Sequence, residues 1–316
     1  MKHNKRRDFL KLAVLSTSSV PFIGFSKNLF ESEEIENKLS VNIFSKHLQF
    51  LDYKEVGEMA SEMGFDGVDL TVRPNGHVSP ENVKIDLPKA IGVIKKAGSN
   101  CVLITTSIES VNNSLDVDIL RTGSALGIKY YRTNWFKYKE GPSMEETLLK
   151  YQEQIKELGA LNKKLGLIGF YQNHAGIQVG SSFWEIKKLL ETVDKDYFGT
   201  QYDIRHAMVE GGYSWENGLK LLHSNIKFIV LKDFKWGKMN GKWEAINVPI
   251  GEGMVNFTKY FKILKSYGLK PPVSLHLEYD LGGAEKGNKD ITIDRKVVFD
   301  SMKKDLNSVQ KLWKEA

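Results

Sequence analysis

A single cysteine, Cys101, in a chain of 316 residues excludes an internal disulfide framework and any cysteine-rich metal site. It stands in Asn100-Cys101-Val102-Leu103-Ile104, an apolar run that reads as a buried strand, so its thiol is a packing group rather than a nucleophile. Long hydrophobic runs are missing too: the apolar stretch from Leu12 to Phe25 is broken by Ser16 to Ser19 and is too short to span a membrane. A basic surplus is the third absence. Of the 45 lysines and arginines, Lys2, Lys5, Arg6, Arg7 and Lys11 fall in the first 26 positions beside one acid, Asp8, and without that segment the net charge drops from +6 to +2. A near-neutral remainder with no basic stripe argues against a nucleic-acid partner.

What is present begins with a leader. Residues 1–26 carry a basic start, the interrupted apolar run and a small-x-small end at Gly24-Phe25-Ser26, the layout of an export signal. Within it, Lys5-Arg6-Arg7-Asp8-Phe9-Leu10-Lys11 resembles the twin-arginine leader, with Lys5 where Ser or Thr is usual. That resemblance implies a bacterial protein folded before translocation and exported, for instance to the periplasm. Residues 27–38, rich in Glu, Ser and Asn, read as a flexible tether, and residues 39–316 as one folded domain.

From Leu39 onward, short apolar strands alternate with amphipathic stretches. The strands are expected at Leu39 to Ser45, Gly67 to Val72, Asn100 to Thr105, Lys129 to Thr133, Leu167 to Gln172, Gly199 to Ile204, Ile226 to Leu231 and Pro272 to Glu278. Helical segments such as Tyr53 to Met63, Leu87 to Ala97, Ser143 to Leu165 and Val255 to Tyr267 lie between them, and Val297 to Trp313 closes the series. Eight strand-helix alternations predict an α/β fold of one kind, a single (β/α)8 TIM barrel. The rival open sheet in its dinucleotide-binding form is disfavoured, because the first strand lacks a Gly-x-Gly-x-x-Gly turn.

The strands end in polar groups. Gly199-Thr200-Gln201-Tyr202-Asp203-Ile204-Arg205-His206 delivers Gln, Asp, Arg and His within six residues, and strand alternation puts Gln201, Asp203 and Arg205 on one face. Ser274, His276 and Glu278 alternate with aliphatic residues in the eighth strand, as Gly67, Asp69, Thr71 and Arg73 do in the second. The polar sets are expected to point into the barrel. Strand ends also supply Lys46 and His47, His77, Arg132 and Trp135, Gln172 and His174, and Lys232 and Asp233, all on the C-terminal rim where barrel enzymes keep their chemistry.

Gln172-Asn173-His174, Asp203-x-x-His206, Lys232-Asp233, Gly251-Glu252-Gly253 and Leu277-Glu278, in that order, resemble the xylose isomerase-like TIM barrels, a superfamily of sugar isomerases and epimerases that also holds an apurinic endonuclease. The resemblance covers about residues 39–310. It implies a divalent metal, often Mn²⁺, between a Glu on strand five, an Asp on strand six, a His on strand seven and a Glu on strand eight, with the two Glu side chains moving protons beside a sugar carbonyl. Asp203 and Glu278 match that pattern, and His206 matches the family's substrate-contacting His. Gln172 and Val230 depart from it. A Gln offers a metal one neutral oxygen and cannot serve as a base, and a Val offers nothing.

The expected ligands are therefore Asp203, Glu278 and Gln172, with Lys232 entering the space of the ion as the alternative. Glu278 is the expected general base, its pKa raised toward neutrality by the barrel interior, and His206 or His174 the partner acid. Lys232, Arg205 and protonated His206 are expected to meet charge on a substrate oxygen if no metal does. His47, Arg73, His77, Arg132, Trp135, Gln172, Arg205, Asp233 and His276 are the expected contacts to a small carbohydrate substrate, with Trp135, Phe136, Tyr138, Trp236 and Trp243 as stacking faces. The activity implied is isomerisation or epimerisation by proton abstraction next to a sugar carbonyl. A 3-keto-glycoside lyase and a non-catalytic carbohydrate-binding barrel are the rivals.

Overall fold

Helix signals in the sequence are explicit, and the computed structural model, which describes residues 38–316, uses them. Asp52 and Glu55 form a reciprocal capping box at the start of α1 (Tyr53–Met63), and Gly64 ends the helix in the left-handed conformation. Ser143 and Glu146 do the same for α4 (Met144–Leu165), which stops at Gly166. Helices α2 (Val83–Lys96), α3 (Ser114–Ala125) and α5 (Phe183–Leu189) complete the first half of the outer ring.

Seven strands precede the last crossing: β1 (Val41–Phe44), β2 (Gly67–Val72), β3 (Leu103–Thr106), β4 (Tyr130–Arg132), β5 (Ile168–Gln172), β6 (Phe198–Asp203) and β7 (Ile226–Leu231). A two-stranded antiparallel hairpin follows, β8 (Asp233–Met239) with β9 (Lys242–Val248), before β10 (Val273–Leu275) returns to the sheet as the eighth barrel strand. All eight barrel strands pair in parallel, in the closed order β1-β10-β7-β6-β5-β4-β3-β2. Helices α6 (Ile204–Gly211), α7 (Trp215–Leu222), α8 (Phe257–Ser266) and α9 (Arg295–Glu315) finish the ring. The architecture is a single (β/α)8 TIM barrel.

Alternation sorts the strand side chains by face. Val68, Leu70 and Val72 of β2 face the helices and join the main apolar core. Inside the barrel, Leu103, Phe170 and Phe228 from β3, β5 and β7 make a separate apolar plug. Polar groups share the interior with it: Asp69 takes hydrogen bonds from Thr105 Oγ1 at 2.8 Å and Ser274 Oγ at 2.6 Å. Gly199 lets β6 close on β7, since a Cβ there would collide with the Asn225 carbonyl.

Some expected bounds shift: the eighth strand ends at Leu275, so His276 and Glu278 follow it rather than belong to it, and the third begins at Leu103 rather than Asn100. The sixth strand stops at Asp203 rather than Ile204, because the Asp203 carboxylate accepts from His206 N at 3.0 Å and caps α6. Arg205 therefore leaves from a helical first turn, not from the strand face of Gln201 and Asp203. The hairpin was not anticipated, although Asn240-Gly241 joins its strands with φ 50° and 79°, the two-residue turn that favours Asn-Gly. The leader and all of the tether but Lys38, residues 1–37, lie outside the described residues. Among the described residues no helix is long and apolar enough to cross a membrane.

Candidate active site

At the C-terminal mouth of the barrel, the Lys232 ammonium is the hub. Its Nζ lies 3.2 Å from Asp203 Oδ2, 3.2 Å from Glu278 Oε2 and 2.8 Å from His206 Nε2. An ammonium has three N–H donors and here meets three acceptors. Lys232 is 3% exposed and Asp203 0%, whereas the Glu278 side chain is 24% exposed. The cluster thus has a sealed end and an open one.

Asp203 is saturated. Besides the helix cap and Lys232, it accepts from Gln172 Nε2 at 2.9 Å, while Asn173 grips its backbone through Asp203 N (2.8 Å) and Asp203 O (3.0 Å). Gln172-Asn173 therefore acts as a clamp on Asp203. Glu278 is pulled two ways: burial raises its pKa, but Lys232, the His276 ring at 3.8 Å and Lys46 at 3.6 Å outweigh that and hold the carboxyl well below its usual range. The expected rise toward neutrality does not occur, because cations surround the group.

Burial disfavours the charged form of the histidines at the barrel mouth. Burial, then Lys232, lowers the pKa of His206 well below its usual value, and its other nitrogen faces Arg205 Nη1 at 3.3 Å. A second proton on that ring would meet donors on both sides, so the protonated His206 expected above does not fit. Burial likewise takes His276 down to about 3; its ring stacks on Phe44 with centroids 4.3 Å apart. His174, also lowered by burial, donates from Nδ1 to the Ala175 carbonyl at 2.8 Å, which leaves the Nε2 lone pair free. Its ring packs between His206 and Trp135, at 4.0 and 4.6 Å.

The open end of the cluster gives onto a cavity of about 230 Å³, walled by Lys46, Arg73, Arg132, Trp135, Gln172, His174, Lys232, His276 and Glu278 over Phe44. Other expected contacts have different partners. His47 accepts from Leu277 N at 3.0 Å and faces the Ala284 carbonyl, and His77 bonds Thr71 and the Leu48 carbonyl, so both pin loops rather than line the cavity. A broader groove of about 610 Å³ passes His77, Tyr53 and Phe50 outside the barrel mouth. Asp233 accepts four backbone N–H groups, from Phe234, Gly251, Gly253 and Val255, and ties the hairpin to the loop behind it. That knot explains Gly251-Glu252-Gly253: a Cβ at position 253 would strike the Asp233 carboxylate. Phe136 is buried on Tyr151 and Tyr171, and Tyr138 donates to Glu185, so neither offers a stacking face. Trp236 and Trp243 stand exposed on the hairpin.

The hairpin supplies what the sequence did not reveal. Asn247 Oδ1 and the Ala245 carbonyl accept from Arg205 at 3.1 and 3.0 Å, and Asn247 Nδ2 donates to the Glu278 carbonyl. Asn240-Gly241 was the signal that could have located it. Phe44, the cavity floor, gave no signal beyond being an apolar strand residue.

The four-ligand metal pattern implied by the resemblance does not fit these residues. Gln172 presents amide hydrogens to Asp203, Val230 is buried and apolar, and an ammonium stands between the two remaining carboxylates. A divalent ion there would sit against Lys232. Among the described residues no three His, Cys, Asp or Glu side chains gather as a metal site.

The comparisons with known proteins agree with the barrel. The D-allulose 3-epimerase of Methylomonas sp. superposes with a TM-score of 0.64 at 13% identity, covering 87% of this chain and 98% of that one. The 3-keto-D-glucoside 4-epimerase of E. coli gives 0.60 at 13%, covering 84% and 98%. A xylose isomerase-like TIM barrel protein from Mycobacterium smegmatis, solved in complex with magnesium, gives 0.60 at 12%, covering 85% and 98%. Identities this low show a shared fold. No curated protein matches the chain in sequence. The sequence profile of one family does match, across residues 58–294, and by it this chain belongs to the xylose isomerase-like TIM barrel family.

Proposed function

We propose that the protein is a carbohydrate isomerase or epimerase that moves a proton on the carbon next to a sugar carbonyl, with Lys232 doing the work assigned to a metal ion in the family pattern. The observation that carries this reading is the Lys232 Nζ held at 3.2 Å from both Asp203 and Glu278 at the head of the cavity. An ammonium aimed at a carbonyl oxygen stabilises the negative charge that grows there as the neighbouring C–H bond breaks. Asp203, clamped by Gln172 and Asn173, fixes where that ammonium points.

Glu278 is the base. Lys232 is the strongest of the groups holding its pKa down. A substrate oxygen that takes over the Lys232 hydrogen bond removes that restraint, so one displacement readies the electrophile and raises the basicity of the carboxylate. His174, neutral with Nε2 unpaired, is a second proton acceptor, suited to taking a proton from another side, and the proton returned to the sugar is the one Glu278 has taken. His206 accepts from Lys232 and sets its direction rather than acting as the acid.

The test is deuterium uptake from D₂O into the carbon next to the carbonyl across a panel of keto-sugars, followed by proton NMR. Wild type is expected to exchange and Glu278→Gln to lose the exchange while still binding. A wild type that binds sugars and exchanges none of them would leave a carbohydrate-binding barrel, and release of the glycosidic group from a 3-keto-glycoside would reassign the same chemistry to a lyase. The proposal includes export, supported by Arg6-Arg7 in the leader. Replacing both with Lys is expected to retain a fused reporter in the cytoplasm, and continued secretion would remove that part.

A further inference from the structure

The cavity lining sets four cations, Lys46, Arg73, Arg132 and Lys232, against one carboxylate, Glu278. The two lysines use that carboxylate, at 3.6 and 3.2 Å. Neither arginine forms an ion pair: among the described residues no Asp or Glu oxygen lies within ion-pair distance of either guanidinium, although Asp69 acts on both, and Glu278 on Arg73, through charge at longer range. Asp69, the buried acid beneath them, spends its oxygens on Thr105 and Ser274. Arg132 is 3% exposed, and its Nη1 is buried without a hydrogen-bond partner. A buried guanidinium donor with no protein partner is costly unless something from outside completes it.

Both arginines are held by aromatic faces instead of by anions. Arg132 Cζ lies 4.0 Å from the Trp135 ring centre, and Arg73 Cζ 5.5 Å from that of Phe44. Packing of this kind fixes a guanidinium by its flat side and leaves its donor edge free, the edge that matches a carboxylate two bonds at a time. Position adds to the case. In the closed strand order, β3 lies four strands from β7 in either direction, and Arg73 and Arg132 leave from β2 and β4 on either side of β3. They face Lys232 across the mouth.

We infer that the substrate is a sugar acid, its carbonyl end at Lys232 and its carboxylate bound across the barrel by Arg73 and Arg132. A space of about 230 Å³ suits one monosaccharide-sized acid rather than an oligosaccharide. The inference rests on the reading of the site as a sugar pocket, and it adds the charge that the sugar carries.

Calorimetric titration of the whole protein with D-glucose, D-glucuronate, D-gluconate and D-glucose 6-phosphate tests it. The two sugar acids are expected to bind at least about tenfold tighter than glucose, the scale of one charge-assisted hydrogen bond. Arg132→Met should bring the ratio close to one. Arg73→Met, at a half-buried position where folding is not at stake, should shrink it as well, and raised salt should weaken the acids but not glucose. Equal or tighter binding of glucose, tightest binding of the phosphate, no binding by any of the four, or a preference that survives both substitutions would each overturn the inference. Acid preference without deuterium exchange would leave it standing and remove the isomerase reading, whereas exchange on neutral sugars alone would do the reverse.

Discussion

The two walls of the barrel mouth treat charge in opposite ways. On the β6, β7 and β10 side, Asp203, Lys232 and Glu278 satisfy one another, and the neutral His206 fills the remaining donor. On the β2 and β4 side, Arg73 and Arg132 rest on rings, and Arg132 Nη1 is buried without a hydrogen-bond partner. A wall that completes itself can hold an electrophile and a base in place before any substrate arrives; a wall left incomplete can only be completed by a ligand. Pre-organised chemistry and recognition are thus separated by the width of the barrel.

Removing the hub of the complete wall should have the largest effect. Lys232→Met strands two carboxylates, and urea unfolding is expected to show a loss of about 3–5 kcal/mol, the range for breaking a buried ion pair from one side. A loss below 1 kcal/mol would mean that Asp203 and Glu278 do not depend on it. Glu278→Gln comes next and falls on rate rather than stability: its amide oxygen still accepts from Lys232, while deuterium exchange should drop by about 100-fold or more.

The pH dependence of stability separates buried carboxylates of opposite kind. Glu278 has a depressed pKa, so its contribution is present above the unfolded value near 4.5 and is lost as pH falls through the lower folded one. Acid titration of unfolding should show that loss, and Glu278→Gln should flatten it. Asp305, on α9 and outside both walls, behaves in the reverse sense. Burial outweighs its bonds from Tyr279 and Ile250 and pushes it up to about 7, so ionising it penalises the fold increasingly as pH rises from about 4 to 7. Asp305→Asn should therefore stabilise the protein, by about 1 kcal/mol or more at pH 8 and by less at pH 5. Equal gains at the two pH values would contradict the assignment. The smallest effect is expected at Trp236 on the exposed hairpin, where Ala should change stability by no more than about 0.5 kcal/mol.

The barrel was legible because its signals are local: short apolar strands, alternation along each of them, and amphipathic stretches between them. Parity along the seventh strand was enough to send Lys232 into the same space as Val230. What stayed hidden depends on partners distant in the chain. Nothing near His47 announces that Leu277 N will occupy its ring nitrogen, and nothing near His206 announces that Lys232 will join Arg205 beside it. The fall in the Glu278 pKa has the same origin, since burial alone argues for a rise and only the assembled ring of cations reverses it. The Asn240-Gly241 turn was a local signal too, overlooked because the eight-strand count was already complete without it.

Elemental analysis of the protein purified without chelator, run beside its deuterium-exchange rate before and after EDTA and after added Mn²⁺, tests the central claim most directly. If Lys232 stands in for the family's ion, the protein should carry far less than one equivalent of any transition metal, and exchange should be indifferent to both treatments. One equivalent of Mn, Zn or Co per chain, with exchange abolished by EDTA and restored by Mn²⁺, would contradict it.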